Sequence, residues 1–91
     1  MDLLPIFLDI KGRACLVVGG GAVAARKAAL ILRAGAELTV VAPWLSSAMQ
    51  VIVDDGRVHY QPRVFVDSDL DGQALIIAAT DDSAINRRVA E

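Results

Sequence analysis

Three consecutive glycines, Gly19, Gly20 and Gly21, separate an apolar run from an alanine-rich segment. The spacing Gly19-x-Gly21-x-x-Ala24 matches the fingerprint G-x-G-x-x-G/A, in which main-chain groups bind a diphosphate bridge. Gly19 allows the tight turn out of a strand, Gly21 lets a diphosphate approach the backbone, and Ala24 is small enough for close helix packing. The free N–H groups and partial positive charge of a helix N-terminus then favour an anion. The motif predicts a nucleotide-cofactor site.

The alternative is a structural turn whose glycines only allow a helix to pack closely on a strand. A second segment favours the cofactor, because a predicted strand ending at Ala79 would bring Thr80 and Asp81 to the same crevice. These two polar residues have two interpretations that can coexist. They cap the helix that follows, or they act at the nicotinamide end of the cofactor or in proton transfer.

The end of the second predicted strand is where the adenosine ribose should bind. Ala42, Pro43 and Trp44 stand there, without the carboxylate that is usual for NAD and without an arginine for a 2′-phosphate. We expect backbone groups of these residues, or the hydroxyls of Ser46 or Ser47, to hold the ribose. NAD is modestly preferred over NADP. Trp44 either packs against adenine or caps the core.

Alternating strands and helices position these residues. The pattern predicts strands at Ala14–Val18, Glu37–Val41, Arg57–Gln61 and Ala74–Ala79, helices at Val23–Arg33, Leu45–Asp54 and Ala84–Glu91, and a short helix at most around Asp67–Asp71. Right-handed crossovers give a Rossmann-like α/β fold, a parallel sheet of order 3-2-1-4 with flanking helices. The fourth strand would be a hydrophobic edge. We therefore expect residues 1–91 to be an incomplete domain, the N-terminal fragment of a longer enzyme.

Composition excludes several classes of function. A net charge of −2 argues against nucleic-acid binding, and Arg26, Lys27 and Arg33 interrupt the most helical stretch, which argues against a membrane span. Cys15 is the single cysteine, which excludes internal disulfides and thiolate-rich metal sites, and it is expected to be an inert buried side chain. His59 has no partner at metal-ligand spacing. No metal site is therefore expected. The N-terminus lacks the pattern of a secretory signal, so a cytoplasmic location is expected.

Five short runs carry a family resemblance: Pro5-Ile6-Phe7-Leu8, Lys11-Gly12-Arg13, the glycine run from Val17 to Lys27, Gly35-Ala36 and Ala78-Ala79-Thr80-Asp81-Asp82. Together they resemble the N-terminal module of siroheme synthase, the precorrin-2 dehydrogenase and sirohydrochlorin ferrochelatase, over nearly the whole chain. The resemblance implies NAD⁺-dependent oxidation of precorrin-2 to sirohydrochlorin, then Fe²⁺ insertion to give siroheme. It also implies tetrapyrrole binding and a homodimer in the full-length protein.

The resemblance implies roles for particular residues. NAD contacts would fall on the glycine turn, on Ala22 and Val23 at the helix start, and on Pro43 and Trp44. Thr80 and Asp81 would border the nicotinamide. The catalytic aspartate of the family lies beyond Glu91, so the 91-residue piece alone is expected to be inactive.

Two other functions fit the same opening motif. A nucleotide-sensing regulatory domain of an ion transporter begins in the same way, but such sensors usually carry an acidic residue after the second strand. An NAD-dependent reductase acting on another small substrate would share the fold, since one fold supports many activities. The Pro5–Leu8 and Ala78–Asp82 runs favour the siroheme family by resemblance.

Overall fold

The computed structural model describes residues 9–79, which form one parallel sheet with two α-helices and a 3₁₀ turn. The elements are β1 Ala14–Val18, α1 Ala22–Arg33, β2 Glu37–Val41, α2 Ser47–Asp54, β3 Val58–Gln61, the 3₁₀ turn Asp67–Leu70 and β4 Leu75–Ala78. All strand pairs are parallel, and the order is β3-β2-β1-β4. The predicted Rossmann-like sheet is confirmed, and each described helix and strand begins and ends within two residues of its predicted position. The predictions for the first eight residues and for the helix at Ala84–Glu91 lie outside the described residues.

β1 forms the centre of the core, because its side chains are buried on both faces of the sheet. Cys15 and Val17 pack into the cluster that lies under the helices, whereas Leu16 and Val18 pack with Phe65 on the opposite face. Such burial explains the near-continuous apolar run in the sequence. Burial also raises the pKa of the Cys15 thiol, because desolvation disfavours the thiolate. Cys15 is therefore the buried apolar side chain that the sequence predicted.

Helix α1 lies on the sheet through a face that is mostly alanine. Its buried residues are Ala24, Ala25, Ala28, Ile31 and Leu32. The small side chains bring the start of the helix close to β1. The helix ends at Arg33, and Ala34 is its C-cap; Gly35 follows with a φ of +84°. This is the left-handed C-terminal conformation predicted from the sequence.

Helix α2 begins two residues later than the sequence pattern indicated. Ser46 is its N-cap, and the Ser46 Oγ accepts a hydrogen bond from the Met49 N–H at 3.2 Å. Leu45 therefore precedes the helix. The predicted apolar side is confirmed, because Met49 is fully buried and Leu45 and Ile52 pack against the core beside it.

The segment between β3 and β4 covers part of the second face of the sheet. The Arg63 guanidinium binds the Asp69 carboxylate through two hydrogen bonds, 2.9 Å from Nη1 to Oδ2 and 2.5 Å from Nη2 to Oδ1. The same carboxylate accepts the Val66 N–H at 2.9 Å. Hydrogen bonding from Arg63 lowers the pKa of Asp69. This network closes a turn around Phe65, which is 3% exposed.

Candidate functional site

The glycine loop leaves the carboxyl end of β1 and lies between the ends of β2 and β4. The Gly19 N–H donates to the Val41 carbonyl at 3.0 Å, and the Ala79 N–H donates to the Val18 carbonyl at 2.9 Å. Both neighbouring strands therefore flank the loop. This is the crevice at the carboxyl edge where ligands of open parallel sheets bind. The predicted approach of the β4 end to the glycines is confirmed as far as Ala79, whereas Thr80 and Asp81 lie outside the described residues.

Two of the three glycines are explained by the packing of the protein itself. Gly19 has a φ of +132°, and a Cβ placed there would lie 2.9 Å from the carbonyl carbon of Ala79. A Cβ on Gly20 would overlap the carbonyl oxygen of Trp44 and lie 3.1 Å from the Ala42 Cβ. In both cases backbone, which cannot rotate away, blocks the extra atom. These glycines allow the loop to pass between β2 and β4.

Gly21 has no such explanation within residues 9–79. Its φ of −83° and ψ of −171° suit any residue, and a Cβ there would meet nothing within 4 Å. Gly21 is also the N-cap of α1, and no side chain caps that helix start in the described part of the chain. Residues 9–79 therefore leave the space before the helix N-terminus, here named the cradle, open. A diphosphate suits such a cradle, because main-chain N–H groups and the helix dipole both favour an anion.

The first turn of α1 places the other predicted residues beside this cradle. Ala22 and Val23 are exposed, and Val23 keeps 56% of its surface in contact with solvent. Ala24 is fully buried, and its Cβ lies 3.5 Å from the position that a Cβ on Gly19 would take. The small size of Ala24 thus allows the close packing of helix and loop, as the fingerprint predicts. Arg26 and Lys27 are exposed on the same helix.

The segment after β2 is tied to its neighbours on two sides. The Ala42 N–H donates to the Gln61 carbonyl at 3.2 Å, and the Ala42 carbonyl accepts the Tyr60 hydroxyl at 2.9 Å. On the other side, the Ser46 N–H donates to the Gly20 carbonyl at 2.7 Å. Residues 42–46 are therefore fixed against both β3 and the glycine loop.

Trp44 does not cap the core. Its side chain is 59% exposed, so that alternative is wrong. Its main chain lies against Gly20, and Pro43 beside it is also exposed. The Ser46 hydroxyl accepts the Met49 N–H as the N-cap of α2, whereas Ser47 is exposed. Packing of Trp44 against adenine stays a prediction.

Tyr60 has no role in the sequence analysis, yet its side chain reaches the end of β2. Tyr60 pairs with Val40 in the parallel register, so its hydroxyl extends along the sheet to the carbonyl of Ala42. The signal in the sequence is a hydroxyl-bearing aromatic residue near the end of a strand beside β2. Strand order and register are both needed to interpret that signal.

The described residues contain neither a cluster of metal ligands nor a membrane-spanning helix. Within residues 9–79, no three His, Cys, Asp or Glu side chains group as a metal site. His59 is exposed on β3. None of the described helices is long and apolar enough to cross a membrane.

Known proteins similar to this chain include siroheme synthases and a precorrin-2 dehydrogenase. The chain is 53% identical to siroheme synthase 1 of Serratia proteamaculans, over 98% of this chain and 19% of that protein. It is 50% identical to the siroheme synthase of Nitrosospira multiformis, over 100% of this chain and 20% of that protein. The solved structure of SirC, a precorrin-2 dehydrogenase, aligns with a TM-score of 0.89 at 36% identity, over 97% of this chain and 44% of that chain.

These similarities confirm the predicted resemblance to siroheme synthases. The chain spans about a fifth of the length of the curated relatives it matches. The family model NAD_binding_7, described as NAD(P)-binding, matches residues 6–91, which include the glycine loop and the strands that flank it. The chain therefore belongs to this NAD(P)-binding family.

Proposed function

We propose that this chain is the NAD⁺-binding part of an enzyme that oxidises precorrin-2 to sirohydrochlorin and then inserts Fe²⁺. The observation that carries the cofactor site is Gly21, whose missing Cβ leaves space that the fold does not use. The siroheme synthases and the precorrin-2 dehydrogenase that resemble the chain support the choice of reaction.

The diphosphate of NAD⁺ is assigned to the cradle at the α1 N-terminus. Main-chain groups of Gly19, Gly20 and Gly21 would border it, and the N–H groups of Ala22 and Val23 begin the helix there. The neutral loop suits this task, because main-chain N–H groups and the helix dipole bind an anion without a charged side chain.

The adenosine half is assigned to the end of β2. Ala42, Pro43 and the exposed Trp44 lie there, next to Gly20. These residues bring no carboxylate, so the ribose would meet main-chain groups or the exposed Ser47. Adenine packing on Trp44 is part of the proposal, because the indole is largely in solvent and not in the core.

Hydride acceptance is the chemistry that NAD⁺ supplies when bound. Residues 9–79 provide binding and orientation. Thr80 and Asp81 at the nicotinamide end stay predictions. The catalytic aspartate, the tetrapyrrole pocket and the Fe²⁺ site are assigned to the chain beyond Glu91, so we expect the 91-residue piece alone to be inactive. A homodimer and a cytoplasmic location of the full-length protein are predicted with them.

A transporter-linked nucleotide sensor and a reductase for another substrate are the alternatives. Nothing in the described residues or in the similar proteins favours the sensor. A different reductase would use the same cradle, so the choice between reductases depends on the substrate. Formation of sirohydrochlorin from precorrin-2 by the full-length protein tests that part of the proposal.

The cofactor site is tested by Gly21→Asp in the full-length protein. The new carboxylate would occupy the cradle and repel a diphosphate. Aspartate is a favourable N-cap residue, so the helix should be retained. Isothermal titration with NAD⁺ should show binding by the wild-type protein and none by Gly21→Asp. The matched control is Ala29→Asp, which adds the same charge at an exposed position further along α1.

The control variant should bind NAD⁺ like the wild type. Unaltered NAD⁺ affinity in a folded Gly21→Asp protein would contradict the proposed site. Equal losses in both variants would show a general effect of charge on the helix and would contradict it as well.

A further inference from the structure

We infer that Tyr60 is a positioning residue for the adenosine end of the cofactor site, an inference that rests on the proposed function. The residue lies on β3, outside the strand–glycine–helix fingerprint. Its hydroxyl donates a 2.9 Å hydrogen bond to the carbonyl of Ala42. That carbonyl belongs to the first residue after β2, where the segment assigned to adenosine begins.

The Tyr60 hydroxyl supplies a partner for the carbonyl of a residue that is only 2% exposed. A buried carbonyl without a donor is costly, so the hydroxyl fixes which way the peptide group between Ala42 and Pro43 faces. The Ala42 N–H is held as well, by the Gln61 carbonyl at 3.2 Å. β3 thus holds both polar groups of Ala42, one through main chain and one through the Tyr60 side chain.

The orientation of Ala42 reaches the cofactor site through a short path. Pro43 and Trp44 follow directly, and the Trp44 carbonyl lies so close to Gly20 that a Cβ there would overlap it. The Ser46 N–H then donates to the Gly20 carbonyl at 2.7 Å. A change in the peptide group after Ala42 would therefore move the segment that borders both adenosine and the glycine loop.

The Tyr60 ring has a separate structural role, so the variants that remove the hydroxyl must keep an apolar side chain at this position. It packs against the core cluster on the helix side of the sheet. Tyr60→Phe retains the ring and removes only the hydroxyl. Tyr60→Met also lacks the hydroxyl and keeps an apolar side chain of similar reach. His59→Ala is the matched control, because His59 is the exposed neighbour on the same strand.

The experiment combines isothermal titration of ADP-ribose and nicotinamide mononucleotide into the full-length protein with steady-state oxidation of precorrin-2. Loss of one hydrogen bond predicts that the KM for NAD⁺ and the Kd for ADP-ribose rise by about three- to tenfold in Tyr60→Phe. The kcat should not change, and the Kd for nicotinamide mononucleotide should rise less than that for ADP-ribose, because nicotinamide mononucleotide lacks the adenosine that borders this segment in the proposal. Tyr60→Met should give the same pattern, and His59→Ala should match the wild type.

An unchanged KM in Tyr60→Phe would overturn the inference, and so would equal losses for ADP-ribose and nicotinamide mononucleotide. A purely structural role would give the second result, since partial unfolding weakens every ligand alike. If the wild-type rate does not saturate with NAD⁺, the proposed function itself fails. If it saturates and both hydroxyl-free variants match it, only the role of Tyr60 fails.

Discussion

Replacing each of the three glycines with alanine should separate packing from ligand binding. Gly19→Ala places a Cβ on a backbone of positive φ, which lowers the free energy of unfolding by about 1–2 kcal/mol. The same Cβ would also overlap the Ala79 carbonyl. Displacing backbone in a packed structure costs about 1–3 kcal/mol more. Gly20→Ala carries no φ penalty, but its Cβ would overlap the Trp44 carbonyl. We therefore expect the free energy of unfolding to fall by about 1–3 kcal/mol.

Gly21→Ala should behave in the opposite way. Its backbone angles suit alanine and its Cβ meets nothing within 4 Å, so the unfolded-state gain of up to about 1 kcal/mol applies. Alanine is a poorer N-cap than glycine, which offsets this gain, so the free energy of unfolding should change by less than about 1 kcal/mol. The methyl group would stand where the diphosphate approaches. Losing one charge-assisted hydrogen bond, about 1.5–3 kcal/mol, would weaken NAD⁺ binding by roughly 10- to 100-fold.

The assay is thermal unfolding and NAD⁺ titration of the same four proteins, the wild type and the three variants. The expected pattern is two destabilised proteins and one stable protein that binds NAD⁺ poorly. NAD⁺ binding by Gly21→Ala as tight as that of the wild type would refute a diphosphate site at Gly21. Unfolding of Gly21→Ala as readily as Gly19→Ala would show that the space around Gly21 is filled, and would refute it as well.

Two further predictions concern the second face of the sheet. Phe65→Ala should lower the free energy of unfolding by about 3 kcal/mol, whereas the exposed neighbour Val64→Ala should change it by no more than about 0.5 kcal/mol, measured by urea unfolding. Similar values for the two variants would contradict the packing of Phe65. Asp69→Asn should destabilise the protein at neutral pH but not in acid. Arg63 lowers the pKa of Asp69 in the folded state, so its contribution is complete above the ordinary aspartate pKa and is lost as pH falls through the lowered value. Unfolding free energies of Asp69→Asn and wild type that stay parallel down to low pH would rule this out.

The strands and the crevice could be predicted because their signals are local and strong. β1 is buried on both faces, and this appears in the sequence as an unbroken apolar run. The glycines follow that run directly, so the start of α1 was within one residue of its position. The rule for parallel crossovers then supplies the order of the strands.

The segment proposed to bind adenosine could be predicted only in part, because its geometry depends on strand register. The position of Ala42, Pro43 and Trp44 after β2 follows from the sequence, but the exposure of Trp44 does not. A lone tryptophan after a strand suits the core and the surface equally. The link from Tyr60 to Ala42 joins residues 18 positions apart and needs the β2–β3 pairing. Ser46 was a candidate for the ribose and is the N-cap of α2, a role that depends on where the helix begins.

The contact between Gly19 and Ala79 makes the site sensitive to local opening of the sheet. Among the described residues β4, like β3, pairs with a single neighbour, so β4 can detach without breaking the β1–β2 and β2–β3 pairs. Detachment would remove one wall of the loop while the glycines stay in place. A ligand that needs this wall would oppose fraying of β4, by about 2.7 kcal/mol at a free concentration 100 times its Kd. Amide hydrogen exchange along Leu75–Ala78 would then slow when NAD⁺ is added, although the diphosphate is proposed to bind the loop that follows β1.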